Sequence, residues 1–254
     1  MHVAEGKVHV WRIATDRSYD LPALRSVLSE DEIAKADRFR FENDRRRAVL
    51  RRAALRQILA RYAGASPNEL RFVYGPQGKP ALDAAFLPAE LHFNLSFSGE
   101  LALCAVGRWP LGIDVERERQ VENANLVAKH FFTAAEIALQ DAAGDPNRVF
   151  LRHWTRKEAL IKATGSGLSV PLNSFDVSGG VRGQGSGFSG AQAELTPSSQ
   201  DVACAQQVSL PNASGETTAW WLYDLAPPAG WCAALATLKP IAQFEWHDAD
   251  KGRC

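Results

Sequence analysis

The segment WTRKEALIKATGSGLSVPL (154–172) contains the clearest helix signal in this 254-residue chain. Its apolar spacing continues upstream and predicts a long helix over Val149–Thr164, which Gly165 ends. Glu158 and Lys162 are four residues apart, so the helix carries a carboxylate and an amine on one face. Two interpretations of this pair stay open at this point. It is either part of a site for phosphate chemistry or an ordinary helix-stabilising ion pair.

A weak internal repeat surrounds this helix and predicts the fold class. RRAALRQ (51–57), PNELRFV (67–73) and ALCAVG (102–107) recur in order as RKEALIK (156–162), PLNSFDV (171–177) and CAALAT (232–237). Alternating apolar residues predict strands at 7–14, 71–74, 91–95, 101–106, 111–116, 220–225 and 231–238. We therefore expect an α+β protein of two similar halves, residues 1–110 and 111–240, followed by a tail over 241–254. A chance repeat is the alternative.

The composition excludes several classes of protein. Hydrophobic residues make up 46% and charged residues 23%, which excludes a disordered chain, a collagen and a disulfide-rich miniprotein. The 29 basic and 29 acidic residues cancel, which argues against a uniformly basic nucleic-acid binder. The four cysteines form no CxxC pair, and no apolar stretch approaches the roughly 18 residues of a membrane span. We expect a cytoplasmic protein without a membrane segment.

The segment GIDVE (112–116) places two carboxylates on one face of a strand. Asp114 and Glu116 are two residues apart, and side chains alternate along a strand. Two adjacent carboxylates repel each other unless a cation lies between them, and Mg²⁺ prefers such hard oxygen ligands together with phosphate and water. The pattern indicates a magnesium site. A solvated strand end beside Arg117 is the alternative.

A basic segment lies between the first two predicted strands. Residues 35–61 contain ten Lys and Arg against three Asp and Glu, with an apolar stripe at helical spacing. Such a helix face suits RNA or an acidic protein, although the chain contains no RNA-binding motif.

The turn Gly78-Lys79-Pro80 is not a phosphate-binding Walker loop, because Pro80 stands where Ser or Thr must follow the lysine.

Taken together, these segments resemble the 4′-phosphopantetheinyl transferases of the large, two-half kind. The matching motifs are GKP (78–80), FNLSFSG (93–99), LGIDVE (111–116), KHFFTAAE (129–136), WTRKEALIKATGSGLSVPL (154–172) and SFDV (174–177). Their order and spacing also match. The likeness extends from about Trp11 to about Leu238.

The resemblance implies two pseudo-symmetric α+β halves, each with a small antiparallel sheet and a long helix, and an active site in the cleft between them. It implies transfer of 4′-phosphopantetheine from coenzyme A to a serine of an acyl or peptidyl carrier protein, with release of adenosine 3′,5′-bisphosphate. The carrier would belong to polyketide, nonribosomal peptide or fatty-acid synthesis. We expect a monomer that binds neither nucleic acid nor membranes.

The resemblance also implies roles for individual residues. The metal ligands for Mg²⁺ would be Asp114, Glu116 and Glu158, and the catalytic residues would be Glu158 as the base and Lys162 on the leaving phosphate. The contacts to coenzyme A would be Lys35, Lys79, Pro80, Ser96 and Lys162, with Phe97 and Lys157 at further positions of the same motifs. Arg47 is added because it lies on the basic segment and its guanidinium suits phosphate geometry. Phe97 stands where the family usually has a histidine that helps to hold the 3′-phosphate, and a phenyl ring donates no hydrogen bond. A degenerate homologue that binds coenzyme A without transfer is therefore the alternative function.

Overall fold

The computed structural model describes residues 1–16, 19–86, 90–167, 170–179, 202–211 and 216–249. It confirms the α+β class. The helices are α1 (Leu21–Arg25), α2 (Glu30–Asp37), α3 (Glu42–Ala63), α4 (Ala124–Phe131), α5 (Ala134–Asp141) and α6 (Pro146–Thr164). The strands are β1 (Lys7–Ala14), β2 (Phe72–Tyr74), β3 (Pro80–Leu82), β4 (His92–Ser98), β5 (Leu101–Gly107), β6 (Leu111–Arg117), β7 (Val202–Pro211), β8 (Thr217–Leu225), β9 (Trp231–Thr237) and β10 (Gln243–Asp248).

The first sheet has the strand order β10-β1-β5-β4. Strands β1, β5 and β4 are antiparallel neighbours, whereas β10 pairs with β1 in parallel. The prediction of a tail over 241–254 is therefore wrong for Gln243–Asp248. This segment returns to the first sheet and buries Phe244 in the core. The apolar residues of QFEWHD alternate only at Phe244 and Trp246, which gives a weak signal for a strand. Residues 250–254 lie outside the described part of the chain.

The second sheet has the order β6-β9-β8-β7 and is antiparallel throughout. Strand β7 was not predicted, because its sequence VACAQQVSLP lacks a continuous alternation. A separate two-stranded ribbon, β2 with β3, encloses the turn at Gly78.

The two sheets pack face to face between the two long helices. In β1, Val8 and Val10 belong to the core between the sheets, whereas Trp11 and Ile13 belong to the core under α3. In β9, Leu235 faces the first sheet and its neighbours face α6. This alternation gives four layers, in the order α3, first sheet, second sheet, α6.

Two capping boxes start the helices that precede α3 and α6. Ser29 with Glu32 caps α2, as its S-x-x-E spacing predicts, and Thr133 with Glu136 caps α5.

The basic segment 35–61 is not one helix, because residues 38–41 separate α2 from α3. Among the described residues, no helix is both long enough and apolar enough to cross a membrane.

Candidate functional site

The close contact between α6 and β6 creates the site. A Cβ atom built on Gly112 would lie 2.2 Å from the backbone nitrogen of Ala163 and 2.3 Å from the backbone oxygen of Ala159. Only glycine allows the helix to rest directly on the strand backbone at this point. The GxD spacing therefore lets α6 bring its polar face to Asp114.

Three side chains from three segments meet at the centre of the site. The Lys162 ammonium donates to Asp114 Oδ1 at 2.6 Å and to Ser96 Oγ at 3.0 Å. The Ser96 hydroxyl donates to the same Asp114 oxygen at 2.7 Å. Asp114 is buried, and its other oxygen, Oδ2, has no hydrogen-bond partner among the described residues. The structure thus brings together the residues that the sequence singled out in three separate motifs.

Two further carboxylates complete an acidic row. Glu116 accepts a hydrogen bond of 2.7 Å from the Ser98 hydroxyl, and Glu158 lies on α6 one turn before Lys162. Burial raises the pKa of both glutamates, and the charge of Asp114 raises it further. Burial also raises the pKa of Asp114, against the opposing charge of Lys162. The row therefore carries more negative charge than its surroundings stabilise.

The acidic row suits a divalent cation by the chemistry of its oxygen donors. The unpartnered Oδ2 of Asp114 is a buried acceptor that lacks a donor, and a hard cation satisfies such an oxygen. The residues that would hold Mg²⁺ are Asp114, Glu116 and Glu158. The Lys162 ammonium already neutralises part of the charge of Asp114.

A cavity of about 400 Å³ opens beside this row. Lys79 and Pro80 line it together with Glu158 and Lys162. The Lys79 ammonium, however, donates to the backbone oxygens of Leu111, Lys162 and Ala163 at 3.0, 2.5 and 3.2 Å. Burial lowers its pKa to about 8. Lys79 therefore connects the turn of the first half to the C-terminal end of α6.

The structure does not bring Lys157 to the site. Its side chain is completely buried and forms an ion pair of 2.9 Å with Glu136. Its ammonium also donates to the backbone oxygens of Leu172 and Phe175. Positions 157 and 158 differ by about 100° around a helix, so Lys157 points into the core while Glu158 points to the cavity. The predicted contact of Lys157 with coenzyme A does not fit this position.

The remaining predicted contacts lie on the side of α2 and α3. Lys35 is exposed, with its ammonium 3.5 Å from Asp31 and 5.1 Å from the centre of the Tyr74 ring. Arg47 lies 3.7 Å from Glu100, which follows the end of β4. Phe97 is 51% exposed on β4. None of these side chains contacts the acidic row.

Sequence reasoning missed three residues at the site. Asn94 accepts a hydrogen bond from the backbone of Ile113 at 2.9 Å, and Ser98 holds Glu116. Both share a face of β4 with Ser96, so the alternation of that strand was a signal that could have found them. The guanidinium of Arg51 lies 3.5 Å from the centre of the Phe97 ring, and no local pattern predicts this contact.

A second group of potential metal ligands lies between β1 and β10. Ligand atoms of His9, Glu245 and His247 are within 4.8 Å of one another. The two ring nitrogens of His9 already face the Tyr62 hydroxyl at 2.8 Å and Glu245 at 3.2 Å, and Lys7 pairs with Glu245. These hydrogen bonds and the ion pair account for His9 and Glu245 without a metal.

Comparisons with known proteins find related sequences over both halves of the chain. Residues 110–208 match the model of the 4′-phosphopantetheinyl transferase superfamily, and residues 14–108 match that of the 4′-phosphopantetheinyl transferase N-terminal region. The 4′-phosphopantetheinyl transferase HetI of Nostoc sp. is 36% identical over 245 residues, which cover 95% of this chain and 90% of that protein. The 4′-phosphopantetheinyl transferase Sfp of Bacillus subtilis is 33% identical over 60% of this chain and 66% of its own length.

These matches confirm the family expected from the motifs and the expectation that the protein is an enzyme. They span both halves, so the likeness is not confined to one motif. The chain belongs to the 4′-phosphopantetheinyl transferase family.

Proposed function

We propose that this protein transfers the 4′-phosphopantetheine group from coenzyme A to a serine hydroxyl of an acyl or peptidyl carrier protein, with Mg²⁺ and with release of adenosine 3′,5′-bisphosphate. One observation carries the proposal. The Lys162 ammonium lies between Asp114 and Ser96, on the wall of the cavity that Glu158 also lines. A cation, a buried carboxylate and a hydroxyl thus converge where a phosphate can enter.

The charges of the site suit a pyrophosphate only when a cation is present. Asp114, Glu116 and Glu158 alone repel an anionic substrate. Asp114, Glu116 and Glu158 would hold Mg²⁺, which would neutralise and orient the pyrophosphate. Lys162 contacts Asp114, and its ammonium stabilises the negative charge on the leaving phosphate.

The transfer itself is a displacement at phosphorus. The oxygen of the carrier serine bonds to the phosphorus that bears pantetheine, and the bond from that phosphorus to the bridging oxygen breaks. The electron pair of that bond remains on adenosine 3′,5′-bisphosphate. Glu158 accepts the proton of the serine hydroxyl, because its carboxylate lines the cavity and lies one helical turn from Lys162.

Ser96 and Ser98 are positioning residues in this mechanism. Each hydroxyl donates to one carboxylate of β6, Ser96 to Asp114 and Ser98 to Glu116. The first half thereby fixes the orientation of the acid residues of the second half. A single chain supplies both sides of the site, which supports a monomeric enzyme.

Intact-mass spectrometry of apo carrier proteins tests the proposal. An apo acyl carrier protein and an apo peptidyl carrier protein are each incubated with coenzyme A, Mg²⁺ and the enzyme. The expected result is a gain of one phosphopantetheine group with the wild type. We expect Glu158→Gln to slow the transfer by at least about 100-fold, as for the loss of a general base. EDTA abolishes the transfer, and Glu30→Gln, at an exposed position of α2, is the matched control.

Two outcomes would contradict the proposal. If the wild type binds coenzyme A but modifies no carrier, the protein is a degenerate homologue and the proposed transfer is wrong. If EDTA leaves the rate unchanged, the assignment of the acidic row to Mg²⁺ is wrong.

A further inference from the structure

Three potential metal ligands meet on the face of the first sheet that packs under α3. Strand β10 runs parallel to β1, and their register places His9 opposite Glu245 and Trp11 opposite His247. Because side chains alternate along a strand, these four side chains share one face of the sheet, and Trp11 belongs to the core under α3. One ligand atom from each of His9, Glu245 and His247 lies within 4.8 Å of the other two.

Hydrogen bonds and the ion pair satisfy two members of this group, but they do not account for His247. Its ring is stacked on Trp11, with 4.5 Å between the ring centres and 24° between the planes. Its Nε2 atom is buried and has no hydrogen-bond partner among the described residues. A buried polar atom without a partner costs free energy, and a metal ion that takes the lone pair of an imidazole nitrogen removes that cost.

The separation of two donor atoms in the group suits a tetrahedral metal ion. Zinc bonds to nitrogen and oxygen are about 2.0–2.2 Å long, which puts two tetrahedral ligand atoms roughly 3.4 Å apart. His9 Nε2 and Glu245 Oε2 are 3.2 Å apart. The other oxygen of Glu245 accepts a hydrogen bond of 2.6 Å from the Lys7 ammonium, and this bond orients the carboxylate. Oε2 is thus the oxygen of Glu245 that is directed at the histidine.

Tyr62 orients the ring of His9 from the opposite side. The Tyr62 hydroxyl oxygen lies 2.8 Å from His9 Nδ1 and accepts a hydrogen bond of 2.8 Å from Trp11 Nε1. When His9 Nδ1 donates to the second lone pair of this oxygen, the lone pair of Nε2 faces the Glu245 carboxylate, and a cation between the two removes their repulsion. Metal-binding histidines typically donate their other N–H to a polar acceptor, which fixes the tautomer and the orientation of the ring.

We propose that His9, Glu245 and His247 form a site for Zn²⁺ that connects the last strand of the first sheet to β1. Two imidazoles and one carboxylate are ligands that Zn²⁺ favours, whereas Mg²⁺ prefers oxygen donors. The site is separate from the acidic row, because β10 and β4, which carries Ser96, are the opposite edges of the first sheet. Its role is structural, and it does not depend on the proposed transfer.

Zinc titration of the 254-residue protein, prepared without a histidine tag, tests this site. The protein is dialysed against a chelator and titrated with Zn²⁺ in a calorimeter, with excess Mg²⁺ present to compete at sites made of oxygen donors. The variants are His247→Phe, which keeps a ring on Trp11, and Glu245→Gln, which keeps an oxygen for Lys7. His130→Phe is the matched control, because His130 is exposed on α4 and lies outside the group. Melting temperatures are recorded for all proteins.

We expect the wild type and His130→Phe to bind one Zn²⁺ that excess Mg²⁺ does not displace, and to melt at a higher temperature when Zn²⁺ is bound. His247→Phe and Glu245→Gln each lose a ligand, so their affinity for Zn²⁺ falls by about 100-fold or more. This is at least the loss of roughly 10–100-fold that follows removal of a partner that only orients a ligand. Tyr62→Phe removes such a partner from His9 and weakens the binding about tenfold.

The site is refuted if the wild type binds no Zn²⁺ in this titration, or if it binds Zn²⁺ no more tightly than His247→Phe and Glu245→Gln. The group is then a set of hydrogen bonds and ring contacts that holds β10 on β1. Glu245 is partly exposed, so Glu245→Gln keeps the comparison possible even if His247→Phe does not fold. Zinc binding is measured without coenzyme A or carrier protein, so a failure of the proposed transfer does not change the result.

Discussion

The two halves of the molecule share a buried ion pair between a capping-box glutamate and the long helix, but they differ in chemistry. In the first half, Glu32 from the capping box of α2 is buried and paired with Arg52 and Arg56 of α3. In the second half, Glu136 from the capping box of α5 is buried and paired with Lys157 of α6. In both halves a buried cation of the long helix also binds backbone oxygens of the segment that follows that helix.

The functional residues break this equivalence. Aligning RRAALRQ with RKEALIK puts Arg52 opposite Lys157, and both pair with the capping-box glutamate. The same alignment puts the buried Ala53 opposite Glu158. The scaffold is thus repeated, whereas of the two long helices only α6 carries a residue of the acidic row. Lys157 occupies the position that pairs with the capping-box glutamate in both halves. It therefore stabilises the fold and does not reach the site, although it is adjacent to Glu158.

The largest expected effect comes from breaking the buried ion pair that the two halves share. Lys157→Met leaves Glu136 buried without its cation, and removal of one partner of a buried pair costs about 3–5 kcal/mol. Arg52→Met costs about 1 kcal/mol, because Glu32 keeps its hydrogen bond from Arg56. Urea unfolding measures both. Equal losses in the two variants would contradict the comparison, and Lys157→Met/Glu136→Gln is expected to recover part of the stability.

The next effect concerns the contact that gives the second half its site. Gly112→Ala forces α6 away from β6, because the new Cβ would lie 2.2 Å from a backbone nitrogen. We expect a loss of about 3 kcal/mol, as for an overpacked core, and a transfer rate that falls further than stability explains. Gly64→Ala is the control, since no atom lies within 4 Å of its Cβ position and only its left-handed φ of 65° is strained. Unchanged turnover in a folded Gly112→Ala protein would contradict the packing argument.

Mg²⁺ is expected to stabilise the second half in a pH-dependent way. Burial raises the pKa of Asp114, Glu116 and Glu158. The folded apoprotein thus loses stability as the pH rises from the ordinary carboxyl range, about 4, to these raised values. Mg²⁺ favours the ionised carboxylates, so its stabilisation grows with pH and reaches about 1.4 kcal/mol at ten times Kd. Differential scanning fluorimetry at pH 5 and pH 8 measures this. A shift of equal size in Glu158→Gln would speak against these ligands.

A comparison of one buried histidine in each half tests an effect that is small at neutral pH and grows in acid. Burial lowers the pKa of His9 to about 4 and that of His153 to about 3. Because the unfolded chain has a pKa near 6.5, stability falls as the pH drops from there towards these values. Neither ring nitrogen of His153 has a partner among the described residues, whereas His9 faces Tyr62 and Glu245.

We therefore expect His153→Phe to keep its stability at pH 7 within about 1 kcal/mol and to weaken the acid dependence. His9→Phe loses about 1–2 kcal/mol at pH 7, because it removes a partner from buried polar groups. Chemical unfolding between pH 4 and pH 7 distinguishes the two. A greater loss in His153→Phe than in His9→Phe would show that the contacts of these rings do not set their effect on stability.

The sequence predicted the helices and strands wherever the apolar period was regular. The predicted strand over residues 7–14 coincides with β1, and the predicted end of α6 at Gly165 is confirmed by its left-handed φ of 68°. Strand β7 escaped prediction because its sequence lacks a continuous alternation. Strand β10 escaped because its alternation covers only six residues and its partner β1 is distant in sequence. The residues of the central site were predictable from motifs, but the orientation of Lys157 was not.

By itself, the sequence determined the family, the α+β class and the identity of the acid residues, because these follow from local period and from spaced motifs. Only the tertiary structure shows that Glu158 lines the cavity and that the adjacent Lys157 is buried in the core. It also decided that Arg51 lies on Phe97 without a carboxylate partner among the described residues. Such outcomes depend on which surfaces of α3, α6 and the two sheets are pressed together, and burial then determines the partner of each charge.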